Sequence, residues 1–431
     1  MNGAEETAPS VRSDAQLDER MIEARAAELR GVLESPLDST RIVRALTATL
    51  GGWRERKFAP RRRIIAALVQ AWGWSEALLE ESFDALFAPF DAESIRDFAR
   101  AATVANELIG VVMPGNVPGA GMHEIVAALL SGRGLILKTA SPEPLTFAAF
   151  AQSLRAADAA VGERLAVMNW SRENRAATAA FRRACDWIAA FGDDLTLADL
   201  NRLPAGDGSS RALVGFGARY SGVVVAGFDR ISDGDAAALA AAIARDLALF
   251  EQQGCLSPHQ AMIETQDAGA ARDFARRLAA AIERRSARTP PPSRFDLEAA
   301  AAIRRMRESA RWRMLGGDAG VELLEGGGWG EPYRWTVVFD DRAEFTISPG
   351  GRALTVARFA GDNELYDRLS RFAGRFEAFA LAAPPTRWAD LHKILERIEV
   401  AYICKPGAMQ SPPLNWRHGG GIFLERLKTS P

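Results

Sequence analysis

Cysteine and histidine are scarce in this chain of 431 residues, which contains three cysteines and four histidines. The cysteines, Cys185, Cys255 and Cys404, form an odd and sparse set, which argues against a disulfide framework and favours a reducing compartment. No pair of them has the spacing of zinc ligands, and with so few histidines we expect no metal site.

Long apolar runs and an excess of positive charge are equally missing. No uninterrupted apolar stretch approaches about 18 residues, so we expect no transmembrane span. The first ten residues are polar and acidic, without the apolar segment of a signal peptide, so we expect a cytoplasmic protein. The net charge is −2 and the arginines are scattered at helical spacing, which argues against a nucleic-acid partner.

The composition is otherwise that of a globular protein, with 48% apolar and 25% charged residues. A chain of this length exceeds one simple core, so we expect two or three domains. Apolar residues at helical spacing fill the first hundred residues, with a break at Gly51-Gly52. Short apolar strands then alternate with helices, which is typical of α/β proteins with doubly wound parallel sheets. The predicted units are a helical N-terminal region (1–100), a first sheet domain (101–228), a second domain (229–400) and a C-terminal segment (401–431).

Cys255 lies in the segment Phe-Glu-Gln-Gln-Gly-Cys-Leu-Ser-Pro (250–258), at the end of a helix predicted for Asp233–Gln253. A thiol that follows a glycine, where a helix gives way to a turn, can be exposed to a substrate and bracketed by backbone N–H groups. Nucleophilic chemistry at sulfur needs such a setting, because the thiolate is the reactive form. The alternative is a small buried hydrophobic residue, the commonest fate of a free cysteine.

Asn116 lies in a Pro- and Gly-rich turn that joins a predicted strand, Leu108–Met113, to a helix. Ligands of open parallel sheets bind at the carboxyl ends of the strands. A neutral amide at this place can donate a hydrogen bond to a developing oxyanion. The alternative is that proline, glycine and asparagine simply build a tight turn.

Two further strand ends carry residues suited to a nucleotide. Lys138 closes a buried strand just before a helix that opens at Ser141-Pro142, so its ammonium could meet a ribose or phosphate beside the helix N-terminus. Gly192-Asp193 follows the predicted strand Trp187–Phe191, where a glycine lets a cofactor pass closely. The alternatives are a surface lysine and an ordinary strand end.

In this order and spacing, these segments resemble the aldehyde dehydrogenase superfamily. They are more similar to its acyl-CoA reductase branch, the fatty-acid reductases that supply aldehyde to bacterial luciferase. Pro-Gly-Asn116-Val-Pro resembles the superfamily's Pro-x-Asn-x-Pro segment, and Gln-Gly-Cys255-Leu-Ser-Pro resembles the branch's Gln-x-Cys-Ser-Ser-Pro segment. Leu-Lys138-Thr-Ala-Ser141 resembles the cofactor segment Lys-Pro-Ser-Glu, and Ala-Phe-Gly192-Asp193 stands where the superfamily has Phe-Thr-Gly-Ser.

The resemblance runs from about residue 100 to the C-terminus, where Trp-Arg-His418-Gly-Gly is similar to the branch's Trp-x-His-Asp-Gly. Gly420 stands where the branch usually has aspartate. Aldehyde-oxidising members carry a water-activating glutamate in a stretch comparable to 214–221, which has no carboxylate here and therefore fits a reductase. The superfamily's second ribose-binding glutamate has no counterpart in 340–356. Ser141 replaces a glutamate that would repel a 2′-phosphate, so NADP(H) is permitted.

The resemblance implies an aldehyde dehydrogenase-like fold of two doubly wound parallel-sheet domains. The first (101–228) would bind nucleotide, the second (229–400) would carry the nucleophile, and the segment 401–431 would return toward the cofactor domain or an oligomer interface. The implied substrate is an acyl-CoA or acyl-carrier thioester, in a homo-oligomer and with room for an acyl-transferring partner protein. The implied catalytic residues are Cys255 and Asn116, and NADP(H) would be held by Lys138, Ser141, Gly192 and Asp193.

Several alternatives stay open. The activated acid could be an acyl phosphate instead of a thioester, and the departure at Gly420 leaves room for a cofactor-binding relative without catalysis. An alanine-rich helical scaffold conflicts with the alternating strands. His259 is predicted to be a surface turn residue, while His418 matches a family position without an assigned role. The N-terminal hundred residues could contact the acyl chain or a neighbouring subunit.

Overall fold

The computed structural model describes residues 18–143, 145–203, 213–228, 231–292, 297–327 and 333–425. The helices are α1 Glu19–Leu33, α2 Ser39–Arg54, α3 Ala59–Trp72, α4 Glu76–Phe87, α5 Ala92–Ala101, α6 Met122–Leu130, α7 Leu145–Ala157, α8 Ala159–Gly162, α9 Arg175–Ala184, α10 Asp194–Arg202, α11 Asp233–Ala248, α12 Ala268–Arg288, α13 Leu297–Leu315, α14 Asp362–Ser370 and α15 Pro385–Arg397. The strands are β1 Leu108–Val112, β2 Gly134–Thr139, β3 Leu165–Asn169, β4 Trp187–Phe191, β5 Leu213–Phe216, β6 Tyr220–Val225, β7 Pro258–Glu264, β8 Val321–Gly326, β9 Trp335–Asp340, β10 Ala353–Phe359, β11 Phe376–Ala382 and β12 Tyr402–Cys404.

Helices α1 to α5 form the predicted helical N-terminal region. The break predicted at Gly51-Gly52 is wrong, because both glycines lie inside α2. A Cβ at Gly52 would lie 3.1 Å from the Phe58 ring, so this glycine makes room for an aromatic contact and does not end the helix. Buried Trp53 stacks on Phe87 at 5.3 Å between ring centroids, in a hydrophobic cluster that continues into the first sheet domain.

The first sheet has five parallel strands in the order β3-β2-β1-β4-β5. Strands β1 and β2 are buried throughout, which explains their continuous apolar runs. The chain moves outward from β1 to β2 and β3, and then returns to the other side of β1 to form β4. A sheet of this order has its ligand crevice outside the carboxyl ends of β1 and β4, which are the strands that Asn116 and Gly192 follow.

The second sheet has seven strands in the order β12-β11-β6-β7-β10-β9-β8, and all its pairs are parallel except β8 with β9. The boundary predicted at residue 228 comes too late, because β6 pairs with β11 and β7 in this second sheet. An apolar strand can join either sheet, so its pattern does not indicate its neighbours.

After β12, the C-terminal segment packs against the first sheet domain. His123 Nε2 lies 3.0 Å from the carbonyl oxygen of Pro412, and the ring of Phe423 lies 6.3 Å from that of Phe216. The tail thus covers the region where the two sheets meet. Within the described ranges, no helix combines the length and apolarity needed to cross a membrane.

Candidate active site

A cavity of about 1300 Å³ is lined by residues of both sheet domains and of the C-terminal segment. Five of the six predicted site residues line it: Asn116, Lys138, Gly192, Asp193 and Cys255. Among the charged or titratable lining residues to which the sequence assigned no role are Glu124, Glu377 and His418.

The turn that carries Cys255 begins with an unusual backbone. Helix α11 ends at Ala248, five residues before the predicted end at Gln253, because three consecutive residues adopt left-handed angles. Phe250, Glu251 and Gln252 have φ of 55°, 51° and 60°. Each such non-glycine residue costs about 1–2 kcal/mol, so surrounding contacts must hold the segment in this shape.

Two buried side chains hold the left-handed segment. Glu251 forms a bidentate ion pair with Arg352, and both residues are fully buried. Gln252 donates to the carbonyl oxygens of Pro258, at 2.9 Å, and Ala353, at 2.7 Å. These contacts connect the segment that precedes Cys255 with the first residues of β7 and β10.

Two hydrogen bonds connect the Cys255 turn to neighbouring strands. Asn116 Nδ2 donates to the carbonyl oxygen of Gln253 at 2.7 Å, so the predicted oxyanion donor lies beside the nucleophile's turn. Asn116 is exposed, and an amide carries two N–H hydrogens, so the second hydrogen remains for a ligand. Ser221 Oγ donates to the carbonyl oxygen of Cys255 at 2.6 Å, which ties the turn to β6.

Cys255 is half-buried, and it meets a histidine and a carboxylate at the cavity wall. Its Sγ, a ring nitrogen of His418 and a carboxylate oxygen of Glu377 lie within 4.8 Å of one another. On the other side of the imidazole, Nδ1 lies 2.7 Å from Glu124 Oε1. Because Nδ1 is engaged there, Nε2 is the nitrogen that faces the thiol. The order thiol, imidazole, carboxylate is that of an activated nucleophile.

Burial and neighbouring charges have opposite effects on the pKa values of His418 and Glu124. Burial lowers the pKa of His418, but the charge of Glu124 and hydrogen bonds to Cys255 and Glu124 outweigh it and raise that pKa well above its usual range. Burial alone would raise the pKa of Glu124, yet the charge of His418 and its hydrogen bond bring that pKa below its ordinary value. Both directions describe a buried ion pair between an imidazolium and a carboxylate.

The pKa of the Cys255 thiol is raised, chiefly by burial, with the charges of Glu377 and Glu124 adding to the shift. The hydrogen bond from His418 and its positive charge act in the opposite direction. His418 is therefore the group that favours the thiolate.

Glu377 comes from β11 and is almost fully buried. Its Oε1 accepts from the backbone N–H of Gly419 at 3.0 Å, and its Oε2 lies 3.5 Å from Arg219 Nε. Burial raises the pKa of Glu377. Cysteine, histidine and glutamate can also ligate a metal ion, but the neighbouring Arg219 cation and the Glu124–His418 pair favour an acid–base cluster.

The backbone after His418 uses two glycines. Gly419 and Gly420 have φ of 65° and 90°, angles that favour glycine, so the departure from aspartate at Gly420 fits the turn that presents His418. The imidazole stacks on Trp416 at 4.3 Å between ring centroids. The family-matched histidine, whose role the sequence left open, thus lies next to Cys255.

Comparison with known proteins agrees with this geometry. The family model described as "Acyl-CoA reductase (LuxC)" matches residues 41–430.

The chain belongs to the acyl-CoA reductase (LuxC) family.

A curated relative, long-chain acyl-protein thioester reductase 2 of Photobacterium leiognathi, is 31% identical over 150 residues, which is 34% of this chain and 30% of the relative. The match therefore spans less than a third of that relative's length.

The fold of this family member is also that of solved aldehyde dehydrogenases. An NAD-dependent benzaldehyde dehydrogenase from Corynebacterium glutamicum matches with a TM-score of 0.70 and 15% identity, over 99% of this chain and 93% of that one. The glyceraldehyde-3-phosphate dehydrogenase GapN from Methanocaldococcus jannaschii, solved with NADP, matches with a TM-score of 0.67 and 12% identity, over 97% and 94%. The predicted aldehyde dehydrogenase-like fold and the acyl-CoA reductase resemblance are confirmed.

Lys138, Gly192 and Asp193, which were predicted to hold a cofactor, differ from one another in the contacts that they make. Lys138 ends β2, is nearly buried, and has its Nζ 5.3 Å from the centre of the Trp170 ring. A Cβ at Gly192 would lie 2.9 Å from Thr196 Cβ, so only glycine fits between β4 and α10. Asp193 accepts from the Thr196 N–H at 2.7 Å and so caps α10, in addition to lining the cavity.

Ser141 is the predicted site residue that the cavity does not include. It is exposed in the turn after β2 and is not among the described lining residues. The preceding Ala140 packs on the Asn116 turn, since a Cβ at Gly115 would lie 2.8 Å from Ala140 Cβ. Arg172, which follows β3, lines the cavity instead.

His259 is not the predicted surface turn residue, because it lies in β7 and lines the cavity. Its Nδ1 accepts from the Ser348 N–H at 3.0 Å, and burial lowers its pKa to about 4. Of the other cysteines, Cys185 is fully buried in an apolar cluster, and Cys404 is half-buried in β12.

Sequence reasoning missed Glu124 and Glu377. Each was marked by a pattern: Glu124 lies in α6, which is buried at every position, and Glu377 lies in an otherwise apolar strand. A carboxylate at a position that is otherwise apolar needs a partner or a function. The sequence cannot show that partner, since Glu124 and His418 are 294 residues apart.

Proposed function

We propose that this protein reduces an acyl thioester to an aldehyde with NADPH, through an acyl group held on the sulfur of Cys255. The observation that carries the proposal is the half-buried Cys255 thiol facing His418, which is paired with Glu124 in a cavity at the sheet crevice. Membership of the acyl-CoA reductase family supports the same chemistry.

The first half-reaction is acyl transfer to sulfur. The Cys255 thiolate attacks the carbonyl carbon of the thioester, and protonated His418 stabilises this thiolate against the burial that raises the pKa of the thiol. The new oxyanion is held by the free N–H of Asn116 and by the backbone N–H of Cys255. Removal of one such donor typically costs about 10²–10³ in rate. The carbon–sulfur bond to the carrier breaks, and His418 can give its proton to the leaving thiolate.

The cavity has charged groups suited to a phosphorylated dinucleotide. Lys138 and Arg172 lie at the ends of adjacent strands and would contact its phosphates, and Gly192 leaves room for its close approach. NADPH is named over NADH because Ser141 stands where a glutamate would repel a 2′-phosphate.

When bound, the reduced cofactor supplies a hydride to the acyl carbon. Collapse of the tetrahedral adduct on Cys255 then releases the aldehyde and restores the thiolate, and His418 takes from solvent a proton to replace the one that it gave to the leaving thiol. Glu377 is our candidate for the ribose-binding carboxylate that 340–356 does not contain. The Glu377 carboxylate accepts from the Gly419 N–H and lies beside Arg219, so it is engaged by protein groups rather than positioned to activate water, and hydride transfer is favoured over hydrolysis.

The test separates acyl transfer from reduction. The protein mixed with dodecanoyl-CoA, without NADPH, is expected to gain one acyl group on Cys255, as measured by intact-mass and peptide mass spectrometry. Addition of NADPH should remove the group and release dodecanal, whereas NADH should do so more slowly. The Cys255→Ser variant should show no reductive turnover, and the matched variant Cys404→Ser should behave as the native protein.

Three outcomes would contradict the proposal. Turnover by Cys255→Ser at the native rate would exclude sulfur as the nucleophile. Acylation by acyl phosphate but by no thioester would assign a different activated acid. Release of dodecanoic acid in place of the aldehyde would assign a hydrolase.

A further inference from the structure

One wall of the catalytic cavity is apolar and comes partly from the helical N-terminal region. Leu86, Val117 and Phe250 all line the cavity and belong to one hydrophobic cluster. They retain 8%, 8% and 3% of their exposure, respectively, so each still presents some surface. Of the described residues that precede β1, Leu86 is the one that lines this cavity.

Helix α4 is attached directly to the elements around Cys255, which fixes the position of Leu86. The backbone N–H of Phe250 donates to Ser82 Oγ at 3.2 Å. Ser411 Oγ donates to the carbonyl oxygen of Ala85 at 2.9 Å, which connects the same helix to the C-terminal segment. The N-terminal helices are therefore built into the wall of the site.

Leu86 also occupies space that a glycine leaves open. A Cβ at Gly119 would lie 2.5 Å from Leu86 Cδ2, so any larger residue there would displace the leucine. Gly119 is in the turn that carries Asn116, and Val117 in that turn lies against the Cys255 turn, 3.7 Å from an ideal Cβ at Gly254. The apolar wall thus begins next to the nucleophile.

The remainder of the cavity differs in chemistry. The end formed by the first sheet carries Lys138, Arg172 and Asp193, whose charges suit a nucleotide. An alkyl chain would gain nothing there, whereas burial against leucine, valine and phenylalanine removes its surface from water. The charged end of the cavity therefore suits the nucleotide, and the apolar wall suits the alkyl chain of the acyl substrate.

We infer that Leu86, Val117 and Phe250 receive the alkyl chain of the acyl group, and that Leu86 limits its length. This inference rests on the proposed acyl transfer to Cys255. It gives the N-terminal helical region a role in substrate selection, because α4 supplies Leu86, one of the three apolar residues of the wall.

The first experiment uses the native protein. It is mixed with an acyl-CoA of about twelve carbons that carries a photoreactive diazirine on the terminal carbon, and it is irradiated after acylation of Cys255. Peptide mass spectrometry is expected to find the crosslink in α4 or in the segment around Val117. A crosslink confined to the peptides of Lys138, Arg172 or Asp193 would overturn the inference.

The second experiment changes the size of the side chain at position 86. Leu86→Trp is expected to lower kcat/KM for dodecanoyl-CoA at least tenfold, with butanoyl-CoA little affected, because a bulkier side chain excludes the distal methylenes. Leu86→Ala should shift the preference toward longer chains without overfilling the site. The matched control is Leu195→Trp, an exposed leucine at the polar end of the same cavity, which should keep the native ratio between the two substrates.

The outcomes separate this inference from the proposed function. A native protein that forms no acyl-enzyme with any chain length would refute the acyl transfer itself. Normal acylation with an unchanged chain-length profile in Leu86→Trp and Leu86→Ala would refute the inference alone. If Leu86→Trp does not fold, as judged by circular dichroism, Leu86→Ala and the native crosslink still decide the matter.

Discussion

At the scale of single residues, the sulfur of Cys255 has neighbours with opposite effects on its charge. Burial raises its pKa, and the carboxylates of Glu377 and Glu124 raise it further, while His418 lowers it. Glu124 has a second effect, because its charge keeps His418 protonated. The Glu124 carboxylate therefore acts in two ways. Its charge directly disfavours the Cys255 thiolate, but it also keeps His418 protonated, and the His418 cation favours that thiolate.

The first prediction concerns His418→Gln. Loss of the hydrogen bond and positive charge removes what lowers the Cys255 pKa, so the pH midpoint of iodoacetamide labelling at Cys255 should move upward. The labelling rate near pH 7 should fall about tenfold for each unit of that shift. The matched control is His392→Gln, which changes the histidine of α15 that pairs with Glu396. An unchanged midpoint in His418→Gln would show that His418 does not activate the thiol.

At the scale of elements, the last turn of α11 is hydrogen-bonded to the C-terminal segment close to the Cys255 turn. Arg245 Nη1 donates to the carbonyl oxygen of Gly407 at 2.6 Å, and the Gly407 N–H donates to Asp246 Oδ2 at 2.5 Å. Gln410 Nε2 bridges the Asp246 carbonyl oxygen and Ser257 Oγ, both at 3.1 Å. The loop that leads to His418 is thereby anchored next to the Cys255 turn.

The second prediction follows from the buried carboxyl group of Asp246. Burial raises its pKa to about 7, and the Gly407 N–H and the charge of Arg245 only partly oppose this. The folded state thus prefers the protonated form, so the contribution of Asp246 is fully present below about pH 4 and is lost as pH rises through 7. The loss amounts to about 1.4 kcal/mol for each pH unit between the two pKa values.

Asp246→Asn cannot ionise, so its free energy of unfolding should fall less than that of the native protein between pH 5 and pH 8. Urea unfolding at the two pH values measures the difference. Asp235→Asn, an exposed position on the same helix, is the control and should follow the native protein. If the free energy of unfolding falls as much for Asp246→Asn as for the native protein between pH 5 and pH 8, the titration of Asp246 is disproved.

At the scale of the whole molecule, the site exists only where separate units meet. Asn116 comes from the first sheet domain, Cys255 and Glu377 come from the second, and His418 comes from the tail. A dinucleotide in this crevice would contact both sheet domains, because the cavity is lined by both. Its binding energy therefore adds to the stability of the assembled molecule.

The third prediction uses that coupling. NADPH at about 100 times its Kd should add about 2.7 kcal/mol to the stability, which corresponds to a rise of a few °C in Tm. Lys138→Met should reduce the rise, since it removes a cation from the phosphate end of the cavity. Lys393→Met, on the exposed face of α15, is the control. An undiminished rise in Lys138→Met would remove Lys138 from the cofactor site.

Much of the architecture could be predicted from local patterns. The strand Trp187–Phe191 matches its predicted bounds, because a short apolar run that ends at turn residues is typical of a buried strand. The turns that carry Asn116 and Cys255 were recognisable because proline and glycine end the adjoining elements. These features depend on residues close together in the chain.

Other features depend on which distant segments meet. β6 joins the second sheet, and Arg172 lines the cavity whereas Ser141 is not among its described lining residues. The ion pair of Glu124 with His418 closes over 294 residues. The sequence by itself determined most of the elements and singled out Cys255 as the candidate nucleophile, since hydrophobic periodicity and turn chemistry are local. Only the tertiary structure decided which charges surround that sulfur, because burial and long-range contacts set the energy of a charge.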